Sequence, residues 1–184
     1  TNTIAKGEVM QLLNCHDPET TEERYIEVIR NKTAKLFQAA AQLTAVISGQ
    51  DPETESAMAA YGMHLGTAFQ LIDDALDYGR DNHDLGKNIG DDLAEGKPTL
   101  PLIYTLRQGD HQQREIIRSA IEEGGLAQIE AVMDAIESTG SITYTARRAE
   151  DEAEQALKAL ATVPDSPFKQ ALHDLAHFSV HRNY

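Results

Sequence analysis

The stretch MAAYGMHLGTAFQLIDDALDY, residues 58–78, decides how the rest of the chain is read. At about 100° per residue, Met58, Gly62, Leu65, Phe69, Ile72 and Leu76 fall on one stripe of a helix, and Ala68, Leu71 and Ala75 extend the apolar surface around the back. Gly66, Gln70, Asp73 and Asp77 form a second stripe, spaced four, three and four, with Asp74 beside it. The helix is apolar most of the way round and carries one narrow polar wedge, where a surface helix would carry a broad charged face. Asp is a poor helix former and costly to bury, so the wedge is expected to face a cavity. Carboxylates this close repel one another unless cations sit among them. Oxygen ligands alone suit Mg²⁺, which keeps several waters and bridges to phosphate. Asp73, Asp74 and Asp77 are therefore the candidate metal residues. The bland alternative is a solvated acidic helix end running from Asp77 to Asp84. The apolar surroundings of the wedge weigh against it. A calcium loop fails on inspection, because DYGRDNHDLGKN lacks the Asp/Asn alternation and the closing Glu.

Outward from this helix, the whole chain reads as helix and turn, with no strand alternation and no internal repeat. Helices are expected over 3–15, 20–48 with a bend, 54–80, 98–108, 111–123, 126–138, 142–161 and 166–182. DPETTEE (17–23) and DPETES (51–56) place Asp, Pro and Glu where helices begin. SGQ (48–50), EGG (123–125) and STGS (138–141) end them. Short loops between long helices imply an all-α, antiparallel helical bundle. The exception is 79–97, a polar, glycine-rich segment, long for a loop in such a bundle and so expected to be functional or mobile.

With 184 residues the chain is large enough for one domain with a substantial core. Its net charge of −14 repels phosphate backbones and no basic stripe offsets it, which argues against nucleic acid. No apolar run is long enough to make a transmembrane segment, and no signal peptide opens the chain. The single cysteine, Cys15, cannot form an internal disulfide, which fits a cytoplasmic protein. An anionic substrate would need local cations. Lys32, beside Thr33 in the otherwise apolar IRNKTAKLF, Lys87 between Gly86 and Gly90, and Lys97 ahead of Pro98 are the candidates. Each lysine alone is more often a surface residue.

Taken together these residues resemble the trans-prenyltransferases, the polyprenyl diphosphate synthases. GTAFQLIDDALD (66–77) is similar to their second aspartate-rich motif, and KT (32–33), GK (86–87) and GDDLAEGKPTLPL (90–102) follow the family's pattern in order and approximate spacing. GEVMQLL (7–13) resembles the helix preceding the KT motif. In detail the chain looks closest to the bacterial octaprenyl diphosphate synthases of quinone biosynthesis. The resemblance implies an isoprenoid-synthase bundle, Mg²⁺ as cofactor, allylic prenyl diphosphate and isopentenyl diphosphate as substrates, and a homodimer in the full-length protein. It implies that Asp73 is the main ligand of one Mg²⁺, with Asp74 and Asp77 orienting its waters. Lys32 and Lys87 would contact the allylic diphosphate, with Lys97 close by, while Thr33 and Gln70 would face the developing carbocation.

One departure matters. The family carries two aspartate-rich motifs and only one is found here; the other paired aspartates, Asp91 and Asp92, match the GDD segment instead. The chain also opens in mid-helix, without an initiator methionine. The expectation is that residues 1–184 are the C-terminal portion of a single polyprenyl synthase domain, truncated at the N-terminus and inactive alone. The rivals are a non-catalytic subunit of the same fold and, less favoured by the lysine pattern, a class I terpene cyclase. His173, His177 and His181 recur at i, i+4 and i+8, a spacing that can bind zinc, but they flank an apolar stripe and read better as a wet face. Arg182 reads as part of a disordered tail sooner than as a diphosphate contact.

Overall fold

The computed structural model of the protein describes residues 1–79, 90–124 and 126–181, and the regular structure among them is helical throughout. The order is α1 (Asn2–Asn14), α2 (Glu22–Ile29), a π turn (Arg30–Ala34), α3 (Lys35–Ile47), α4 (Pro52–Leu76), α5 (Asp91–Ala94), α6 (Leu100–Gln108), α7 (His111–Glu123), α8 (Ile129–Thr139), α9 (Ser141–Ala159), a short 3₁₀ turn (Leu160–Thr162) and α10 (Pro167–Val180). The bundle read from the sequence is the one observed.

Local chemistry sets most boundaries. The Asp51 carboxylate accepts from the backbone N–H groups of Glu53 and Thr54, both at 2.9 Å, and Pro52 opens α4. Asp110 and Gln113 form a reciprocal capping box at α7. Gly140, at φ 69°, closes α8 and opens α9 in a left-handed conformation that costs a glycine little. DPETTEE behaves differently from its reading. Asp17 accepts from the Glu19 N–H and from the Arg24 guanidinium, which leaves Thr21 to cap α2 by accepting from the Arg24 N–H. The expected bend in 20–48 is a π turn inside an otherwise continuous helical path.

α4 is the central element, flanked by α3 on one side and α9 on the other. Leu71 and Ile72 pack with Tyr25 and Ile29 of α2, Leu100 and Ile103 of α6, and Ala149 of α9. Towards its start, Tyr61 and Leu65 meet Ala156, Leu160 and Ala176. Tyr78 joins a third cluster with Leu93, Leu102, Ile117, Val132 and Ile136. Among the described residues, large apolar side chains stay uncovered on three helices: Val9, Leu12 and Leu13 on α1, Leu36, Leu43, Val46 and Ile47 on α3, and Phe168, Leu175 and Phe178 on α10. Leu12 and Ile47 are 72% and 84% exposed, far more than a core-facing stripe shows. No described helix is long and apolar enough to cross a membrane.

Candidate functional site

A cavity of about 220 Å³ opens where α1, α2, the π turn, the end of α4 and the segment around Lys97 converge. Gln11, Asn14, Tyr25, Lys32, Thr33 and Gln70 line one part of it, and Asp73, Asp74, Asp92 and Lys97 complete its polar wall. Six of the eight residues singled out in the sequence therefore share one cavity. Asp77 lies just outside the lining and accepts from the Asp92 N–H at 3.3 Å. Lys87, like Arg182 and the 80–89 part of the polar segment, lies outside the described residues.

Close helix packing sets the position of the π turn. A Cβ on Gly7 of α1 would meet the Lys32 backbone nitrogen at 2.5 Å, and one on Gly66 of α4 would meet the Ala34 Cα at 2.7 Å. Both separations are well inside van der Waals contact, so the turn is gripped between two helices that only glycine lets approach. One link across it is direct, the Thr33 hydroxyl donating to Gln70 Oε1 at 3.0 Å. On the other side Lys32 Nζ meets Gln11 Oε1 at 2.6 Å and Glu8 at 3.0 Å, both on α1.

The carboxylates are not equivalent. Asp74 is 3% exposed, and both of its oxygens are engaged. Oδ2 accepts from the Tyr25 hydroxyl at 2.6 Å and Oδ1 from Gln70 Nε2 at 2.7 Å. Burial, followed by the nearby charge of Asp92, pushes the Asp74 carboxyl up to about 7 against the pull of those two donors. Burial and Asp74 together hold the Tyr25 phenol well above its ordinary range. Asp73, half-buried on the cavity wall, is the carboxylate of α4 best placed to meet a ligand. Lys97 bridges Asp92 at 3.0 Å and Glu95 at 2.8 Å. Burial opposes its charge, but the hydrogen bonds to Glu95 and Asp92 outweigh burial and raise its pKa.

His16 holds the Lys97 segment in place. It is the one non-glycine with positive φ among the described residues, at 62°. Its N–H donates to the Gly96 carbonyl at 2.8 Å. Its Nδ1 lies 3.1 Å from the Ile121 carbonyl, and because a carbonyl only accepts, Nδ1 carries the proton. The ring rests against Gly96 and Gly124, where any Cβ would collide with it.

Among the described residues no cluster of three or more His, Cys, Asp or Glu side chains is drawn close enough to hold a metal by itself. The donor set on the cavity wall nevertheless suits Mg²⁺. Asp73 and Asp92 offer carboxylate oxygens only, and Mg²⁺ binds through one or two carboxylates while keeping water for the rest. At the end of α10 the rings of His177 and His181 stand 6.3 Å apart, and His181 Nδ1 lies 3.0 Å from the His177 carbonyl.

Sequence reasoning passed over Tyr25, Gln11 and Asn14. Gly7, Gln11 and Asn14 are spaced four and three on α1, a polar stripe with the same pattern as the one on α4, and that signal was available. Tyr25 carries no such mark, since its ring reads as one more core position beside Val28 and Ile29.

A model of the polyprenyl synthetase family matches residues 1–139. The chain belongs to that family. Octaprenyl diphosphate synthase of Escherichia coli (strain K12) is 52% identical over 183 residues, 99% of this chain and 57% of that protein. The octaprenyl diphosphate synthase of Haemophilus influenzae is 50% identical over 185 residues, covering 56% of its length. The crystal structure of a polyprenyl synthase from Caulobacter crescentus CB15, complexed with calcium and isoprenyl diphosphate, superposes with a TM-score of 0.92 at 42% identity over 98% of this chain and 56% of that one. A decaprenyl diphosphate synthase from Rhodobacter capsulatus gives 0.90 at 40% identity, covering 97% of this chain and 56% of its own. The chain thus spans little more than half the length of the relatives it matches.

Proposed function

We propose that this chain is the C-terminal portion of a polyprenyl synthase domain that lengthens an allylic prenyl diphosphate with isopentenyl diphosphate, yielding an octaprenyl diphosphate for quinone biosynthesis in the cytoplasm. The observation that carries the reading is the meeting of Lys32, Thr33, Gln70, Asp73 and Lys97 on one cavity wall, together with the likeness to octaprenyl diphosphate synthases. Lys32 and Lys97, with Lys87 from the segment between them, would bind the diphosphate as point charges. Asp73 would hold Mg²⁺, assisted through water by Asp77 and Asp92. Mg²⁺ so held would neutralise the leaving diphosphate. Asp74, with both oxygens already engaged, would act from behind that group. Thr33 and Gln70 would turn oxygen dipoles towards the carbon that gains positive charge as the C–O bond breaks. The double bond of isopentenyl diphosphate attacks that carbon, and the proton then lost passes to the departing diphosphate.

The bare apolar faces of α1 and α3 support an upstream segment, carrying the first aspartate-rich motif, and a second copy of the chain as their covers. Residues 1–184 alone would then be inactive. The test is product analysis of the complete gene product, including whatever the gene encodes ahead of Thr1, supplied with Mg²⁺, labelled isopentenyl diphosphate and an allylic primer. Labelled long-chain prenyl diphosphate supports the reading. Binding without chain growth would point to the non-catalytic subunit.

A further inference from the structure

The chain of hydrogen bonds across the cavity wall has a direction. The Tyr25 hydroxyl donates to one Asp74 oxygen at 2.6 Å and Gln70 Nε2 to the other at 2.7 Å, so Asp74 accepts on both sides and the side of the Gln70 amide that faces it is its NH₂. The amide oxygen is then turned the other way, onto the Thr33 hydroxyl, at 3.0 Å. Asp74, the nearer of the two acceptors of Gln70 Nε2 at 2.7 Å against 3.5 Å for Asp73 Oδ2, therefore dictates which end of Gln70 is presented to Thr33 and the cavity. Asp74 in turn is held by one other group, the Tyr25 hydroxyl of α2, at 2.6 Å on the opposite carboxylate oxygen. Tyr25 is 5% exposed and wedged in the cluster formed by Ile29, Leu71, Ile72, Leu100 and Ile103, which leaves its ring no freedom to swing. A short bond between two buried groups in a low-dielectric interior is the arrangement in which orientation is passed on most firmly.

We propose that Tyr25 is a positioning residue that, through Asp74, fixes the Gln70 amide with its oxygen towards Thr33 and the cavity. This rests on the functional reading above only for its consequence, that the fixed oxygen dipole assists the reacting carbon. The orientation itself is a property of the protein without substrate. An amide held the other way would present two N–H groups to developing positive charge and oppose it. Tyr25 thus acts at a distance from the reacting atoms, by excluding one of the two amide orientations.

The experiment has two arms in the complete gene product. In the first, glutamine is labelled with ¹⁵N and the side-chain amide of Gln70 is assigned by its loss in Gln70→Glu. Tyr25→Phe, which keeps the ring and its packing, is expected to shift or broaden that pair of amide signals. Asp74→Asn, nearly isosteric but able to donate as well as accept, is expected to do the same. An unchanged Gln70 signal in both variants overturns the proposal. In the second arm, Tyr25→Phe is expected to lower kcat about tenfold while KM for the allylic diphosphate stays within about twofold, since the amide acts on the transition state. In a Gln70→Ala background the same substitution is expected to change kcat by less than about twofold, because two residues acting through one contact are not additive. An equal loss of kcat in both backgrounds overturns the proposal, since Tyr25 would then act by another route. A moved Gln70 signal with kcat unchanged supports the positioning role and instead removes Gln70 from the reaction.

Discussion

Replacing Gly66 by alanine sets two opposed effects against each other. In the interior of a long helix, Gly→Ala gains about 1 kcal/mol from backbone propensity alone. The structure argues that packing reverses the sign. The new Cβ would lie 2.7 Å from the Ala34 Cα and 3.0 Å from the Ala34 and Phe37 Cβ atoms. The nearest obstacle is backbone, so no flexible side chain can move aside. Restoring ordinary contact requires α4 and the π turn to separate by roughly 1 Å, an overpacking cost near the upper end of the usual range, about 3 kcal/mol. The net expectation is a loss of about 2 kcal/mol, or about 4–8 °C in Tm for a domain of this size. The same displacement would stretch the 3.0 Å Thr33–Gln70 bond beyond useful length. Scanning calorimetry with urea unfolding measures the effect. A Gly66→Ala protein as stable as its parent, or more so, would refute the reasoning, because propensity would then be acting unopposed and the grip on the π turn would be slack.

Glu152 of α9 binds Arg30 at 3.1 Å and His64 at 2.6 Å. Burial pushes its carboxyl up, but the His64 and Arg30 interactions outweigh burial and leave it below its ordinary 4.5. A depressed carboxyl contributes stability that is complete above the unfolded pKa and lost as pH falls through the folded one. Glu152→Gln is therefore expected to lower stability near neutrality by about 2 kcal/mol and to flatten the loss on acidification below pH 4.5, followed by urea unfolding against pH; parallel acid limbs would contradict it. At His16, held at φ 62°, His16→Val should destabilise by about 1–3 kcal/mol and weaken diphosphate binding through Lys97, while His16→Asn, which tolerates that conformation, should do so much less. Equal losses in the two variants, read by calorimetry, would place the effect in the ring and not in the backbone.

Much of this site could be read from the sequence because its residues break a pattern. Asp73 and Asp77 interrupt an otherwise apolar wheel, Lys32 interrupts an apolar run, and Asp51-Pro52 and the Asp110–Gln113 box mark helix starts through chemistry local to the chain. The rest was hidden because it depends on neighbours distant in sequence. The π turn uses the same residue types as an α-helix, and the glycines packed against it, Gly7 and Gly66, lie on other helices. α5 is four residues long, shorter than any hydrophobic period, and follows Gly90 at φ 80°. The wheel sets Asp74 beside the Asp73–Asp77 stripe but cannot show its partner, the buried Tyr25 hydroxyl 49 positions away. Asp17 accepts the Glu19 N–H on one oxygen and the Arg24 guanidinium on the other, while Thr21 caps α2, a division that the DPETTEE pattern does not reveal.

The central claim is that the carboxylates and lysines of one cavity bind a diphosphate through Mg²⁺. Isothermal titration of inorganic diphosphate into the complete gene product, with and without Mg²⁺, tests it most directly. Binding is expected to strengthen at least about tenfold when Mg²⁺ is present. That gain should vanish in Asp73→Asn, and Lys32→Ala should weaken binding whether or not the metal is there. Diphosphate binding indifferent to Mg²⁺ and unchanged in both variants would contradict the account.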